Sequence, residues 1–339
     1  MSQGPTIAEI ARAVGVSAPT VSKVINGRAD VAEGTRSRIE AALATAGYQR
    51  RRATTVGGKS ETGLIDLVFH RIGSPWATEL INGVLSTAAQ HQVSVILTEL
   101  GGLSVPSDSW VDTALARPPL GALMVSSHLE AHQFERLKRR NVPVVVIDTD
   151  GEPPTDVASV GSDNWNGGLL AARHLIGLGH RRIGLVGGPE NMLTMRARLD
   201  GFRSAHAEAG LAYRPELFRP GNFFVGTGYS AGHDLLTLPA SKRPTAIFAG
   251  ADVQALGVLR AANELGIRVP EDLSIVGYDD VPEATWVSPM LTTVTQKLPA
   301  MAMMATELLL DLAAGRKPVT TRINLTTELI VRESTASPA

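Results

Sequence analysis

Cysteine is absent from the 339 residues, which removes disulfides, thiol nucleophiles and cysteine-ligated metals together. Long apolar runs are missing too: nothing approaches the roughly 18 uninterrupted apolar residues of a membrane helix. Residues 1–15 carry acidic and polar side chains where a secretory leader needs a basic start and an apolar core, so a cytoplasmic protein without membrane contact is expected. Catalytic strings are also lacking, with no GxSxG elbow, no GxxxxGK[ST] phosphate loop and no GxGxxG after a strand. Gly177-Leu178-Gly179 falls between a helix and a strand, the reverse of a dinucleotide fingerprint. His128 and His132 stand one helical turn apart with no third ligand nearby, so neither a metal nor a cofactor is expected. Tryptophan occurs four times, and Trp76, Trp165 and Trp286 all fall in expected strand-end loops.

What is present is an ordinary globular composition, 44% hydrophobic and 19% charged, in a chain long enough for two or three domains. The net charge of −1 conceals an asymmetry. Residues 1–59 hold nine Lys or Arg against four acids, a net +5, and the remaining 280 residues carry −6. A basic head on a mildly acidic body points to a polyanion partner for the head.

Thr6-Ile7-Ala8-Glu9 is a capping box, so a helix is expected to start there with Ile7, Ile10, Ala11 and Val14 on one face. Gly15-Val16-Ser17 turns the chain and caps a second helix, Ala18–Ile25, in whose first turn Pro19 costs no hydrogen bond. A third helix, Glu33–Ala46, places Ile39, Ala42 and Leu43 inside. Two short helices across a tight turn, braced by a third, make a helix-turn-helix, whose second helix enters the DNA major groove.

The string from Thr6 to Gly27, TIAEIARAVGVSAPTVSKVING, resembles the head of the lactose-repressor (LacI/GalR) family of bacterial transcriptional regulators. By that resemblance Ala18, Pro19 and Lys23 read base edges, Lys23 as a donor to guanine and the other two as apolar contacts. Thr6, Ser17, Thr20, Ser22, Asn26, Thr35 and Tyr48 match positions that grip phosphates. The family's hinge falls on residues 49–62, where it folds on DNA and wedges an apolar side chain into the minor groove. Here Arg50, Arg51 and Arg52 suit a narrow negative groove, and Val56 stands near the wedge position; a charged flexible linker is the plainer alternative.

From Gly63 onward continuous apolar strands alternate with helix-length segments, the pattern of parallel sheets covered on both faces. About seven such units are too many for one small sheet, so two α/β subdomains are expected. VGSDN at 160–164, LGHRRI at 178–183, RARLDGF at 196–202, VPEDL at 269–273, VGYDD at 276–280 and LTTV at 291–294 extend the resemblance to about residue 333. It implies a periplasmic-binding-protein-like body with a ligand cleft and three crossovers. The expected division is a head at 1–48, a hinge at 49–62, a body at 63–333 and a tail at 334–339. One subdomain takes 63–161 and 294–322, the other 162–293 and 323–333.

Ligands of open parallel sheets bind beyond the carboxyl ends of the strands. His70, Ser74, Pro75, Trp76, Ser126, Ser127, Asp148 and Asp279 all follow strand ends in this reading. The family alignment implies Ser74, Trp76, Ser127, Asp148, Asn164, Arg198, Phe223, Asp252, Asp279 and Gln296 as ligand-facing. Carboxylates, a guanidinium fork and aromatic faces suit a neutral polyol. The expected protein is a homodimeric repressor of carbohydrate-use genes, binding a palindromic operator under control of a sugar. A purine or phosphosugar effector, a transport-type sugar-binding protein and a sugar-processing enzyme using Asp148 with Asp279 are the rivals.

Overall fold

A computed structural model describes residues 7–25, 31–45, 63–148, 157–189 and 192–338. The chain divides into two compact units, Met1–Lys59 and Ser60–Ala339.

The head holds α1 (Ile7–Val14), α2 (Ala18–Ile25) and α3 (Glu33–Thr45). Gly15 makes the turn after α1 at φ +71°, a conformation that costs glycine nothing. The Ser17 hydroxyl accepts from the Thr20 amide at 3.3 Å, which caps α2. Ile10, Ala11, Val14, Val21, Val24 and Ile39 form a small core, with Ala42 and Leu43 half-buried against it. Arg38 ties α3 to the end of α1 by donating to the Val14 carbonyl at 2.6 Å. The expected cap residue Thr6 and the side chain of Ile7 lie outside the described residues, as does the whole of the hinge.

In the body the order is β1 (Leu64–Phe69), α4 (Pro75–Gln90), β2 (Ser94–Glu99), α5 (Asp108–Ala116), β3 (Gly121–Val125), α6 (Ala131–Arg139), β4 (Val144–Ile147) and β5 (Ala158–Ser162). Next come α7 (Asn164–Gly177), β6 (Ile183–Val186), α8 (Leu193–Glu208), β7 (Phe218–Arg219), α9 (Val225–Leu236), β8 (Ala246–Ala249), α10 (Asp252–Glu264) and β9 (Ser274–Asp279). The chain ends with β10 (Thr292–Thr295), α11 (Leu298–Ala313), β11 (Arg322–Leu325) and β12 (Glu328–Ile330).

Two six-stranded sheets result, ordered β11-β5-β4-β3-β1-β2 and β12-β10-β9-β8-β6-β7. The pairs of the first are parallel; the second is parallel except where β12 runs against β10. Side chains alternate between the faces of each strand. Ile65, Leu67 and Phe69 therefore meet Leu80, Met301 and Leu309 of α4 and α11, whereas Val68, Met124 and Val146 meet Trp110 and Leu137 of α5 and α6. In the second sheet Ile247 and Ile275 pack on α9 and α10, and Phe248 and Tyr278 on α7 and α8.

The chain passes between the sheets after β5, after β10 and after β11. The expected borders at 293/294 and 322/323 shift a few residues onward, because Val294 and Thr295 pair with β9 whereas Ile323 to Leu325 pair with β5. Residues 334–338 are part of the second lobe and not a loose tail. Ser334 is buried, accepting from the Thr292 amide at 2.8 Å and donating to the Ile275 carbonyl at 2.6 Å.

Candidate DNA interface and ligand cleft

On α2 Pro19 and Lys23 are exposed and stand four residues apart, which places them on one helix face. Ala18 is half-buried and packs on the core of the head, so it offers less surface than the sequence reading supposed. Ser17 and Thr20 share a hydroxyl contact of 2.8 Å at the start of α2, beside Pro19. Thr35 is half-buried in the first turn of α3. Thr6, Asn26, Tyr48, Arg50, Arg51, Arg52, Val56 and the side chain of Ser22 lie outside the described residues.

The body contains a cavity of about 350 Å³ where the carboxyl ends of both sheets face each other. From the first lobe it is lined by Ser74 and Trp76 beyond β1, Ser126 beyond β3 and Asp148 beyond β4. From the second it is lined by Arg198 on α8, Phe223 ahead of α9 and Asp279 at the end of β9, with Gln296 at the crossover after β10. Strand ends converge there because a parallel sheet sends every carboxyl terminus to the same edge. The backbone carries strain at the same edge. Ser126, Asp148, Asp279, Asp280 and Lys297 all have positive φ, between +44° and +116°, which non-glycine residues adopt only where the surroundings impose it.

Arg198 is buried and organised by neighbours on its own lobe. Its Nε donates to Asn164 Oδ1 at 2.8 Å, its Nη1 to the Gly250 carbonyl at 2.5 Å, and its guanidinium lies 3.7 Å from the centre of the Tyr278 ring. Glycines let α8 come so near α7: a Cβ on Gly168 would sit 2.0 Å from the Arg198 carbonyl oxygen. Burial pushes the Asp148 carboxyl above its ordinary range, and the Arg198 charge and Asn164 offset part of that. Burial likewise pushes Asp279 up to about 7, against the Arg198 charge and a hydrogen bond from Gln296.

That last bond belongs to a chain of contacts running through a crossover. Ser162 at the end of β5 donates to Gln296 Oε1 at 2.7 Å, and Gln296 Nε2 donates to Asp279 Oδ1 at 2.6 Å. All three residues are buried. One polar path thus joins the first lobe, the crossover and a carboxylate of the cavity.

Three of the ten expected ligand-facing residues stand behind the cavity wall. Asn164 is committed to its neighbours, its Oδ1 accepting from Arg198 Nε and its Nδ2 donating to the Ser162 carbonyl at 3.1 Å. Asp252 is wholly buried, accepting from Thr293 Oγ1 at 2.5 Å and from the Val281 amide at 3.0 Å. Ser127 is buried below Ser126, its hydroxyl without a partner. Conversely, the cavity wall includes Arg71, Ser104, Thr194, Asn222 and Phe224, which sequence reasoning missed because they sit in loops and helix starts without a motif. His70 also lines it and keeps a buried Nδ1 without a partner.

Residues 6–51 match the family model for bacterial regulatory proteins of the lacI family, and residues 172–335 that for a periplasmic binding protein-like domain. The HTH-type transcriptional repressor PurR of Proteus mirabilis (strain HI4320) is 34% identical over 333 residues, 98% of this chain and 97% of that protein. This chain belongs to the LacI family. The HTH-type transcriptional repressor CytR of Escherichia coli (strain K12) is 31% identical over 97% of this chain and 96% of its own length. Among solved structures, a lac repressor dimer bound to operator and the anti-inducer ONPF has a TM-score of 0.79 at 27% identity, covering 98% of this chain and all of that one. The complex of the transcriptional regulator CelR with cellobiose reaches 0.72 at 31% identity, over 97% of this chain and 99% of that one.

The LacI-family member described here is a DNA-binding transcriptional regulator and not an enzyme. Among its described residues no helix is long and apolar enough to cross a membrane.

Proposed function

We propose that this repressor acts in the cytoplasm as a homodimer on a palindromic operator, and that a sugar in the cavity between its lobes sets its operator affinity. The observation that carries the effector class is the grouping of Asp148, Asp279, Arg198 and Gln296 with Trp76 and Phe223 around one cavity. Carboxylates accept from vicinal hydroxyls, the guanidinium donates, and the aromatic faces cover C–H surfaces of a ring. The cellobiose complex of CelR and a ribose-bound LacI-family regulator from Enterococcus faecium, 27% identical, support that reading. Exposed Pro19 and Lys23 are assigned to base edges, and the Ser17 and Thr20 hydroxyls to phosphates. Arg50, Arg51, Arg52 and Val56 are assigned to the minor groove.

Control follows from the crossovers. A ligand drawing the lobes together changes the geometry of the first lobe, from whose start the hinge departs, and so biases the hinge spacing in a dimer. By linkage the operator must then alter sugar affinity by the same factor, typically worth about 1–3 kcal/mol.

The test is fluorescence anisotropy on a labelled upstream palindrome at two salt concentrations, with panels of sugars, phosphosugars and purines. Tight, salt-dependent binding shifted by a neutral sugar is expected. A shift by a purine or phosphosugar alone would replace the effector class and leave the regulator standing.

A further inference from the structure

The cavity differs in character from its inner to its outer end. Inside, Asp148, Arg198, Asp279 and Gln296 are buried and held by hydrogen bonds or fixed backbone. At the mouth two exposed side chains meet from opposite lobes, Arg71 from the loop after β1 and Phe224 from the residue capping α9. The guanidinium carbon lies 5.5 Å from the ring centre. Both line the same cavity as the inner set.

Neither side chain is explained by the fold. Phe224 is 42% exposed and belongs to none of the apolar clusters that hold the lobes together. Its neighbour Phe223 is seated inward, on Gly188, where a Cβ would come within 2.2 Å of the ring, and 5.8 Å from the Arg198 guanidinium. Phe224 has extended backbone, φ −126° and ψ 151°, and consecutive side chains of an extended chain diverge, which leaves its ring at the mouth. Arg71 makes no ion pair among the described residues. An exposed aromatic face beside an uncommitted guanidinium, continuous with a polar cavity, has the chemistry of a sugar subsite: C–H surface on the ring, hydroxyls on the fork.

We infer that Arg71 and Phe224 form an outer subsite that recognises a second sugar ring, so that the preferred effector is at least a disaccharide. The inference rests on the sugar reading of the cavity. The inner set holds one ring, and the second ring takes the place of the guanidinium over Phe224 while Arg71 turns to its hydroxyls.

The experiment is calorimetric titration of the full-length protein with cellobiose, xylobiose and mannobiose, each beside its monosaccharide, and the same for Phe224→Ala and Arg71→Ala. At least one disaccharide is expected to bind about tenfold or more tightly than its monomer, stacking of this kind contributing on that order. Each substitution then lowers disaccharide affinity at least fivefold, shifts the monosaccharide less than twofold and leaves the melting temperature unchanged. Equal affinity for one and two rings in the unaltered protein, or a length preference that survives both substitutions, overturns the subsite and leaves the sugar cavity intact. Failure of every sugar to bind a cooperatively melting protein overturns the sugar reading and the subsite with it.

Discussion

If a sugar hydroxyl donates to Asp279, effector binding must depend on pH near neutrality. Burial holds this carboxyl up to about 7, against 3.8 for an ordinary aspartate, with Arg198 and Gln296 opposing the shift and Asp148 adding to it. A carboxylate accepts where a carboxylic acid presents a proton, so the ionised form is the binding form. For a group titrating near 7, roughly nine-tenths is ionised at pH 8 and one-tenth at pH 6. The apparent Kd scales inversely with that fraction and rises about tenfold on going from pH 8 to pH 6, or about 1.4 kcal/mol. Stability of the empty protein follows a separate rule. The folded carboxyl keeps its proton longer than the unfolded one, so its contribution to stability is greatest below about 4 and is lost as pH rises through about 7. Calorimetric titration of the effector at pH 6, 7 and 8 measures the first effect, and Asp279→Asn should flatten it while weakening binding at pH 8. Affinity that is level across this range or tighter in acid refutes the reasoning. A slope that persists in Asp279→Asn refutes the assignment to this residue.

Gly168→Ala should destabilise the body by about 1–3 kcal/mol through overpacking, because the added carbon meets the Arg198 carbonyl and not a side chain that could swing aside; scanning calorimetry reads it, and an unchanged melting temperature would show that α7 and α8 separate freely. Lys23→Ala should cost roughly 1–3 kcal/mol at one base position in each half-site, measured by anisotropy against single-base operator variants. A uniform loss across all variants would make Lys23 a phosphate contact. Ser334→Ala should cost about 1–3 kcal/mol in urea unfolding, since it leaves the buried Thr292 amide without its acceptor.

The sequence reading succeeded where short-range chemistry decides structure. The Ser17 cap, the Gly15 turn and the apolar positions of α1 to α3 are local signals; the strands at 121–125 and 183–186 are unbroken apolar runs, and the strand at 64–69 is apolar except for Asp66. No apolar run marks β10, whose sequence TTVT looks polar yet is mostly buried, because Thr293 is satisfied by Asp252, a partner 41 residues away. No such run marks β5, β7, β11 or β12, which are short, at sheet edges or alternating in burial. In the cleft, strand-end Asp148 and Asp279 were legible from the strand pattern alone. Asn164 and Asp252 carry the same chemistry and were placed one layer too far forward, since which of two neighbouring polar groups faces a cavity depends on the packing of α7 and α10. Phe224 went unread beside Phe223 because the inward seat that Phe223 takes depends on Gly188, 35 residues earlier.

The three crossovers decide which properties of this regulator can be exchanged as blocks. Either lobe is assembled from chain segments that the other lobe interrupts, so a donor's lobe cannot be grafted in by one join; every hybrid must rebuild three passages, two of which are tied together by the hydrogen bond from Ser162 to Gln296. A single join between relatives would therefore break the cleft, whereas a single substitution alters its lining within a retained frame. The head obeys the opposite rule. It is continuous in sequence and compact in itself, and one cut near Lys59 detaches it whole. A bacterium, or an engineer, can rewire which genes respond by a single splice far more readily than it can rewire what they respond to.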